Sequence, residues 1–361
     1  MFSNIYKGKK VLITGDSGFK GSWLAIWLMQ LGAEVYGYSL PPKKKTDNYV
    51  VCNLEKKIHH IDGDVRDLKT FVSYFNKIQP DIAFHFAAQP LVLKSYKNPQ
   101  ETFSTNIMGT VNFFEAVRST PSVKVAINVT SDKCYQNNEW IWGYRETDRM
   151  GGKDPYSASK SASEIITSSY IFSFFSPDNT TNLASVRAGN VIGAGDWANQ
   201  RIIPDFFRAK INKTQLIIRN PQATRPWQYV LEPLSGYLDL AAKLYSNGKR
   251  FQGGWNFGPL DTMNRPVLKL VEEMAKHDNN RDYIIDNDGK GLEATLLKLD
   301  ISKAITQLEW KPVLDFHNTV KLTVEGYLSD LAGNSSLKNR LESLEYYLKE
   351  ASLKKVQWAM K

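Results

Sequence analysis

The sequence predicts an α/β fold, a doubly wound parallel sheet followed by a smaller C-terminal α/β lobe, and three observations carry that prediction. Short apolar, β-branched runs alternate with amphipathic helical stretches through the first half of the chain. A glycine-rich turn joins the first such run directly to the first helical stretch. From about Gly189 the texture changes to shorter segments punctuated by Gly193, Gly195, Pro204, Pro221, Pro226, Pro233 and Pro259.

Taken in order, the pattern predicts a strand at Lys10–Thr14, a helix over 22–31 and a strand at Glu34–Ser39. A further strand is read at Asp62-Gly63-Asp64-Val65, followed by a helix over 68–76 and a strand over 82–86. Next come a helix over 99–120, a strand over 124–130, a helix beginning near Tyr156 and a strand over 181–187. The boundary between the sheet domain (1–189) and the lobe (190–361) is expected near Asn190, with segments near 226–232 and 254–258 returning to the larger domain. The tail after Gly333 has the composition of a polar helix.

With 361 residues, 42% of them hydrophobic, the chain is long enough for one large domain or two smaller ones sharing a cleft. No apolar run reaches the roughly 18 to 20 residues that a membrane span needs, and the polar start is no secretory signal. Two cysteines, Cys52 and Cys134, give neither a disulfide framework nor metal-ligand spacing, so a cytoplasmic protein without a metal is expected. The net charge of +9 is spread along the chain, Lys43 to Lys45 being its only run of three, and no nucleic-acid module accompanies it. Positive charge of this kind suits a pocket for a diphosphate-bearing substrate.

Val11 to Thr14 run straight into Gly15-Asp16-Ser17-Gly18-Phe19-Lys20-Gly21 and then into helix-forming residues. Three glycines so spaced let the turn close, admit a pyrophosphate to the backbone and set the anion at a helix N-terminus. The GxxGxxG spacing resembles the extended short-chain dehydrogenase/reductase family, whose large domain is a Rossmann sheet. The resemblance implies that Gly15, Ser17, Gly18, Phe19, Lys20 and Gly21 hold the cofactor pyrophosphate. It implies that Asp64 and Val65 lie at the adenine, and that Ala87 and Ala88 in Phe84-His85-Phe86-Ala87-Ala88 leave room for the cofactor, with Asn106 on the next helix. NAD is the cofactor the family suggests, although Tyr38-Ser39-Leu40 lacks the acid that often holds its ribose. His85, alone in an apolar strand, is expected to be a core residue and not an acid or base.

Tyr156 and Lys160 stand four apart at the start of a helix and so share one face. An ammonium beside a phenol favours phenolate, giving a base able to take a hydroxyl proton during hydride transfer. The family resemblance adds Ser131 as their partner and borders the cofactor with Tyr156 and Lys160. Dehydratases of that family carry an Asp-Glu pair after the serine, the Asp protonating the departing hydroxyl and the Glu taking the C5 proton. Here the pair is Asp132-Lys133. With the Trp140-Ile141-Trp142-Gly143-Tyr144 segment that follows, this departure resembles the subgroup of the family that acts on CDP-glucose. The implied chemistry is oxidation at C4, elimination of water across C5 and C6, and return of hydride to C6, with NAD regenerated. Lys133 is the favoured C5 base, a water chain through Asp132 or Tyr156 itself being the alternatives.

Asn190, in Arg187-Ala188-Gly189-Asn190, matches the family asparagine that binds the sugar diphosphate, and Arg201 and Arg225 stand at the places of its diphosphate arginines. Ser131 is also expected to touch the sugar. A 4-epimerase shares the glycine turn and the Ser, Tyr and Lys but needs no elimination pair; a dinucleotide-sensing regulator would need no base at all. The family further implies a homo-oligomer, dimer or tetramer, joined through the helices of 99–120 and 156–175, and a product used for bacterial surface polysaccharide.

Overall fold

The structure is a computed structural model that describes residues 1–175, 181–260, 264–278, 283–286 and 296–360. Seven parallel strands form its centre: β1 (Lys10–Thr14), β2 (Glu34–Ser39), β3 (His59–Asp62), β4 (Ile82–His85), β5 (Val125–Val129), β6 (Asn182–Ala188) and the strand Gly253–Phe257. Across the sheet they run Gly253–Phe257, β6, β5, β4, β1, β2, β3. Strand order therefore reverses between β1 and β4, and a doubly wound sheet opens its ligand crevice at the carboxyl ends of such a pair.

Pleating sorts the strand residues into two apolar layers. Val11, Ile13, Ile82, Phe84, Val125 and Ile127 join one core, while Leu12, Ala83, Ala126 and Leu183 join the other. Helix α1 (Phe19–Gln30) buries every residue from Gly21 to Leu28, as a helix packed on several sides must. The helix Leu231–Asn247 packs its apolar residues into that same core.

Two elements differ from the sequence pattern. The third strand ends at Asp62 instead of running on to Val65; it is an edge strand with mostly exposed residues, so hydrophobic alternation does not mark it. The helix over 99–120 is three pieces, Pro99–Phe103, a π-helical turn at Ser104–Met108, and Gly109–Arg118. The π turn places Asn106, which is buried and bonded on both sides.

Later segments add three two-stranded pieces: Val191–Ile192 with Gln228–Tyr229, Thr224–Pro226 with Asn264–Pro266, and Leu216–Ile218 with Tyr283–Ile285. A separate core built from Phe206, Phe207, Leu270, Met274, Val320, Val324 and Tyr327 joins the helices Ile202–Asn212, Val267–Asp278 and Phe316–Leu331. Among the described residues no helix is long and apolar enough to cross a membrane.

Candidate active site

At the crevice between β1 and β4 the backbone itself shapes a cradle. Gly15 has φ +74°, and a Cβ there would stand 2.7 Å from the Ala87 nitrogen; one on Gly21 would stand 2.2 Å from the Gly15 carbonyl oxygen. Only glycine allows both approaches. Thr14 fixes the opposite wall, its hydroxyl accepting from the Ala87 N–H at 3.2 Å and pairing with His85 Nδ1 at 2.7 Å. Helix α1 starts after Gly18 with no side-chain cap, so its first N–H groups face the cradle mouth unpaired by a side chain, the arrangement a pyrophosphate needs. The residues fit a dinucleotide.

Around this cradle, Ser17 and Ser39 join hydroxyls at 2.8 Å where an acid was lacking. Asp64 pairs with Arg66, Nε to Oδ2 at 2.9 Å, while Asp67 is the helix N-cap, accepting from the Thr70 N–H. The Val65 carbonyl accepts from Asn112 at 2.8 Å. Asn106 accepts from the Gln89 N–H at 2.8 Å and donates to Ser159 at 2.8 Å, tying the loop after Ala87 and Ala88 to the helix that carries Tyr156. His85 is buried and stacks on Phe113 with ring centroids 4.7 Å apart, and burial, with Lys160 second, pushes its pKa down to about 3. It is a neutral core residue.

Beside the cradle, the end of β5 meets the helix Pro155–Ser173. Asp154 caps that helix, accepting from the Ser157 N–H, and Pro155 suits its first turn. Ser131, Asp132, Tyr156 and Lys160 are all buried here. The Ser131 hydroxyl donates to Asp132 Oδ1 at 3.0 Å and bonds Tyr156. Burial pushes the Asp132 carboxyl above its ordinary value, although Lys133, Ser131 and Arg225 oppose it, so the group holds its proton to a higher pH than an exposed aspartate does. Lys133 is half-buried, in the 3-10 turn Asp132–Cys134, one residue from that acid.

The expected depression of the Tyr156 phenol is corrected. Burial pushes it up to about 12, with Asp132 adding to the rise against Ser131 and Arg201. Lys160 points instead to the Val129 carbonyl, 3.2 Å from its Nζ, and burial lowers its own pKa to about 8. Hydrophobic enclosure outweighs the neighbouring cation. Lys20, expected only at the pyrophosphate, sits in the electrostatic reach of Arg201, Lys160 and Asp132 and 5.9 Å from the Tyr237 ring centroid. Burial, then Arg201 and Lys160, lowers its pKa to about 8.

The substrate-side residues come from three segments. Exposed Asn190 closes the β6 exit, its carbonyl accepting from the Gln228 N–H at 3.3 Å. Arg201 is held by Asp196 at 2.7 Å and its charge reaches Tyr156 and Lys20. Arg225, on the Thr224–Pro226 strand, donates to the Thr224 carbonyl at 2.9 Å, and its charge reaches Asp132.

A buried network behind the face was missed from sequence. Glu164 accepts from Arg187 Nη2 at 2.7 Å, from Ser185 at 2.6 Å and from Thr130; Arg187 also donates to Tyr135, which donates to Asn256 at 2.8 Å. Burial alone would raise the Glu164 pKa, but Arg187 and the three donors bring it below the ordinary value. The signal was present in part: Tyr156, Lys160 and Glu164 repeat at four-residue intervals on one helix face.

The family model described as GDP-mannose 4,6 dehydratase matches residues 12–323. The CDP-glucose 4,6-dehydratase of Salmonella typhimurium is 45% identical over 339 residues, 92% of this chain and 94% of its own. UDP-glucuronate 4-epimerase 1 of Arabidopsis thaliana is 26% identical, over 92% of this chain and 79% of its own. Among solved structures, a UDP-glucose-4-epimerase from Stenotrophomonas maltophila with bound NAD matches with a TM-score of 0.77 at 20% identity, over 90% of this chain and 99% of its own. A dTDP-glucose 4,6-dehydratase from Streptomyces venezuelae, with NAD bound, matches with a TM-score of 0.76 at 19% identity, over 91% and 99%. At those identities the structures speak to the fold, a Rossmann-like α/β architecture.

Proposed function

The chain belongs to the family described as GDP-mannose 4,6 dehydratase, and from that premise we propose that it converts CDP-D-glucose to CDP-4-dehydro-6-deoxy-D-glucose with NAD as its cofactor. The observation that carries this reading is the Ser131-Asp132-Lys133 turn, a buried carboxyl with its pKa raised by burial, standing beside a lysine and set against Tyr156. An epimerase has no use for such a pair.

NAD supplies the hydride acceptor at C4 and the hydride donor at C6 when it is bound in the glycine cradle. Gly15, Ser17, Gly18, Phe19, Lys20 and Gly21 hold its pyrophosphate, Asp64 and Val65 border the adenine, and Ala87 and Ala88 leave room for the ring. Asn106 acts at one remove, as a positioning residue for that loop. Tyr156, linked to Ser131, accepts the C4 hydroxyl proton as its phenolate, a form that the positive nicotinamide ring of bound NAD would favour against the rise imposed by burial. Lys160 fixes the back of the pocket through the Val129 carbonyl. Asp132 delivers a proton to the departing C6 hydroxyl. Lys133 removes the C5 proton and returns it.

Asn190, Arg201 and Arg225 grip the nucleotide diphosphate, arginine forks matching its oxygens. In this division residues 1–189, with 226–232 and 254–258, carry the cofactor, and the remainder of 190–361 binds the nucleotide sugar. Phe103, Met108, Ile165 and Phe172 are exposed on the 99–118 and Pro155–Ser173 helices, apolar surface that supports association into a homo-oligomer. A cytoplasmic location and a product entering deoxysugar and surface polysaccharide synthesis complete the reading.

Purified protein with NAD is offered CDP-glucose, dTDP-glucose and UDP-glucose separately, following mass loss of one water and the alkaline absorbance of a 4-keto-6-deoxy sugar. Dehydration of CDP-glucose alone is expected, with Tyr156→Phe slowing it by about 10²–10⁴-fold. Epimerised UDP-glucose without loss of water would overturn the proposal.

A further inference from the structure

The lobe beyond the sheet holds a cluster with no part in the chemistry above. Glu273 and His277 stand one turn apart on the helix Val267–Asp278, and His317 reaches them from the first turn of Phe316–Leu331, which packs against it. Glu273 Oε1 lies 2.7 Å from His317 Nδ1 and 3.7 Å from His277 Nε2, and the three atoms all lie within 4.8 Å of one another. Lys276 takes the other carboxylate oxygen, Oε2, at 2.7 Å, leaving Oε1 as the point both imidazoles address.

A hydrogen bond between Glu273 and His317 accounts for only part of this arrangement. His277 Nε2 is buried and has no hydrogen-bond partner among the described residues. A buried ring nitrogen left so has lost its water without gaining a partner, a deficit that an added partner would make good. The two imidazoles pack with centroids 5.0 Å apart, side by side as two ligands of one ion are. Zinc bonds to nitrogen and oxygen are about 2.0–2.2 Å, so tetrahedral donors sit about 3.3–3.6 Å apart. The 3.7 Å pair lies just outside that spacing, and the 2.7 Å pair needs to open by less than an ångström.

We propose that Glu273, His277 and His317 form a site for one divalent transition-metal cation of the zinc class, with the remaining coordination position left to solvent. Two nitrogens and one carboxylate oxygen suit that ion, and both histidines bind it as neutral rings. The ion would clamp the two helices together. The first of them follows directly on the strand Asn264–Pro266, which pairs with the strand carrying Arg225, so the clamp also braces that ribbon. Cysteine spacing gave no hint of it, because the ligands are two histidines 40 positions apart in sequence and a glutamate.

Untagged protein, stripped with a chelator, is titrated with Zn²⁺ in competition with a chromophoric zinc ligand, and its melting temperature is followed against zinc concentration. One Zn²⁺ per chain is expected, with a melting temperature that climbs as the site fills. His277→Ala and His317→Ala should each weaken binding at least about 10-fold and flatten that climb. His317 is largely exposed, so its variant tests the site without emptying a core; His59→Ala, on the sheet edge, should bind as the parent does. Absence of binding by the parent, or binding undiminished in both site variants, overturns the proposal.

Discussion

The cradle at the β1 and β4 ends and the catalytic face at the end of β5 lie side by side, yet they are built from different material. The cradle is backbone: glycines whose missing Cβ atoms leave the space, and uncapped N–H groups at a helix start. The face is side chains, Ser131, Asp132, Tyr156 and Lys160, held by the Glu164 and Arg187 network behind them. A site made of backbone is fixed by local sequence and tolerates almost no substitution at a few positions. A site made of side chains depends on partners that arrive from distant strands, and its titration depends on how completely they enclose it.

The largest effect should come from unbalancing that network. Glu164→Gln keeps the shape but removes the charge that pairs Arg187, leaving a guanidinium buried against Tyr135. Breaking one partner of a buried pair costs about 3–5 kcal/mol. Urea unfolding should show a loss of that size, and dehydration should fall with it, because the amide keeps one acceptor oxygen where Thr130, one residue before Ser131, needs one and Ser185 with Arg187 needs the other. A loss under about 1 kcal/mol would mean that the face stands without its backing, and the contrast with the cradle would collapse.

This difference in material also decides what could be read in the sequence. The strands β1 and β2 match their apolar runs residue for residue, and β4, β5 and β6 lie within a residue of theirs, because burial on both faces leaves a dense hydrophobic signature. The glycine turn was legible for the same reason, since its spacing is its mechanism. The edge strand His59–Asp62 was blurred by its polar surface, and the π turn at Ser104–Met108 by a helical pattern that continues through it. Glu164 and Arg187 were not assigned at all; their pairing bridges the Pro155–Ser173 helix and β6, and only the fold brings them together. The pKa of Tyr156 was misjudged because the sequence reports a neighbouring lysine but not the enclosure around the phenol.

A smaller effect is expected in the cradle. Gly15→Ala forces a side chain onto φ +74° and into the Ala87 backbone, where nothing flexible can yield. Strain of about 1–3 kcal/mol follows, and if it is relieved by shifting the Ala87 loop the cradle widens. NAD affinity, measured by quenching of protein fluorescence, should drop roughly 10-fold or more while unfolding remains cooperative. Unchanged affinity would mean that side chains, not the glycine backbone, hold the dinucleotide.

The smallest effect probes where the two regions meet, at Lys20. It belongs to the glycine turn by sequence and to the catalytic face by position, near Lys160, Arg201 and Asp132. Its pKa and that of Lys160 are lowered from 10.5 to about 8, so between pH 8 and 10.5 the unfolded chain binds more protons than the folded one. Stability should rise with pH across that window, and below it both folded ammonium groups carry their full enclosure penalty. The interval from pH 8 to 9 is the clean part, because above the ordinary thiol value the buried Cys52 and Cys134, and above the ordinary tyrosine value the raised phenols, act in the opposite sense. Burial lowers Lys303 as well, so Lys20→Met removes one of three lysine contributions; the slope of urea midpoint against pH should fall by roughly a third to a half, and the variant should be the more stable protein at pH 7. A slope identical to the parent's would return Lys20 to solvent and leave the cradle and the face electrostatically separate.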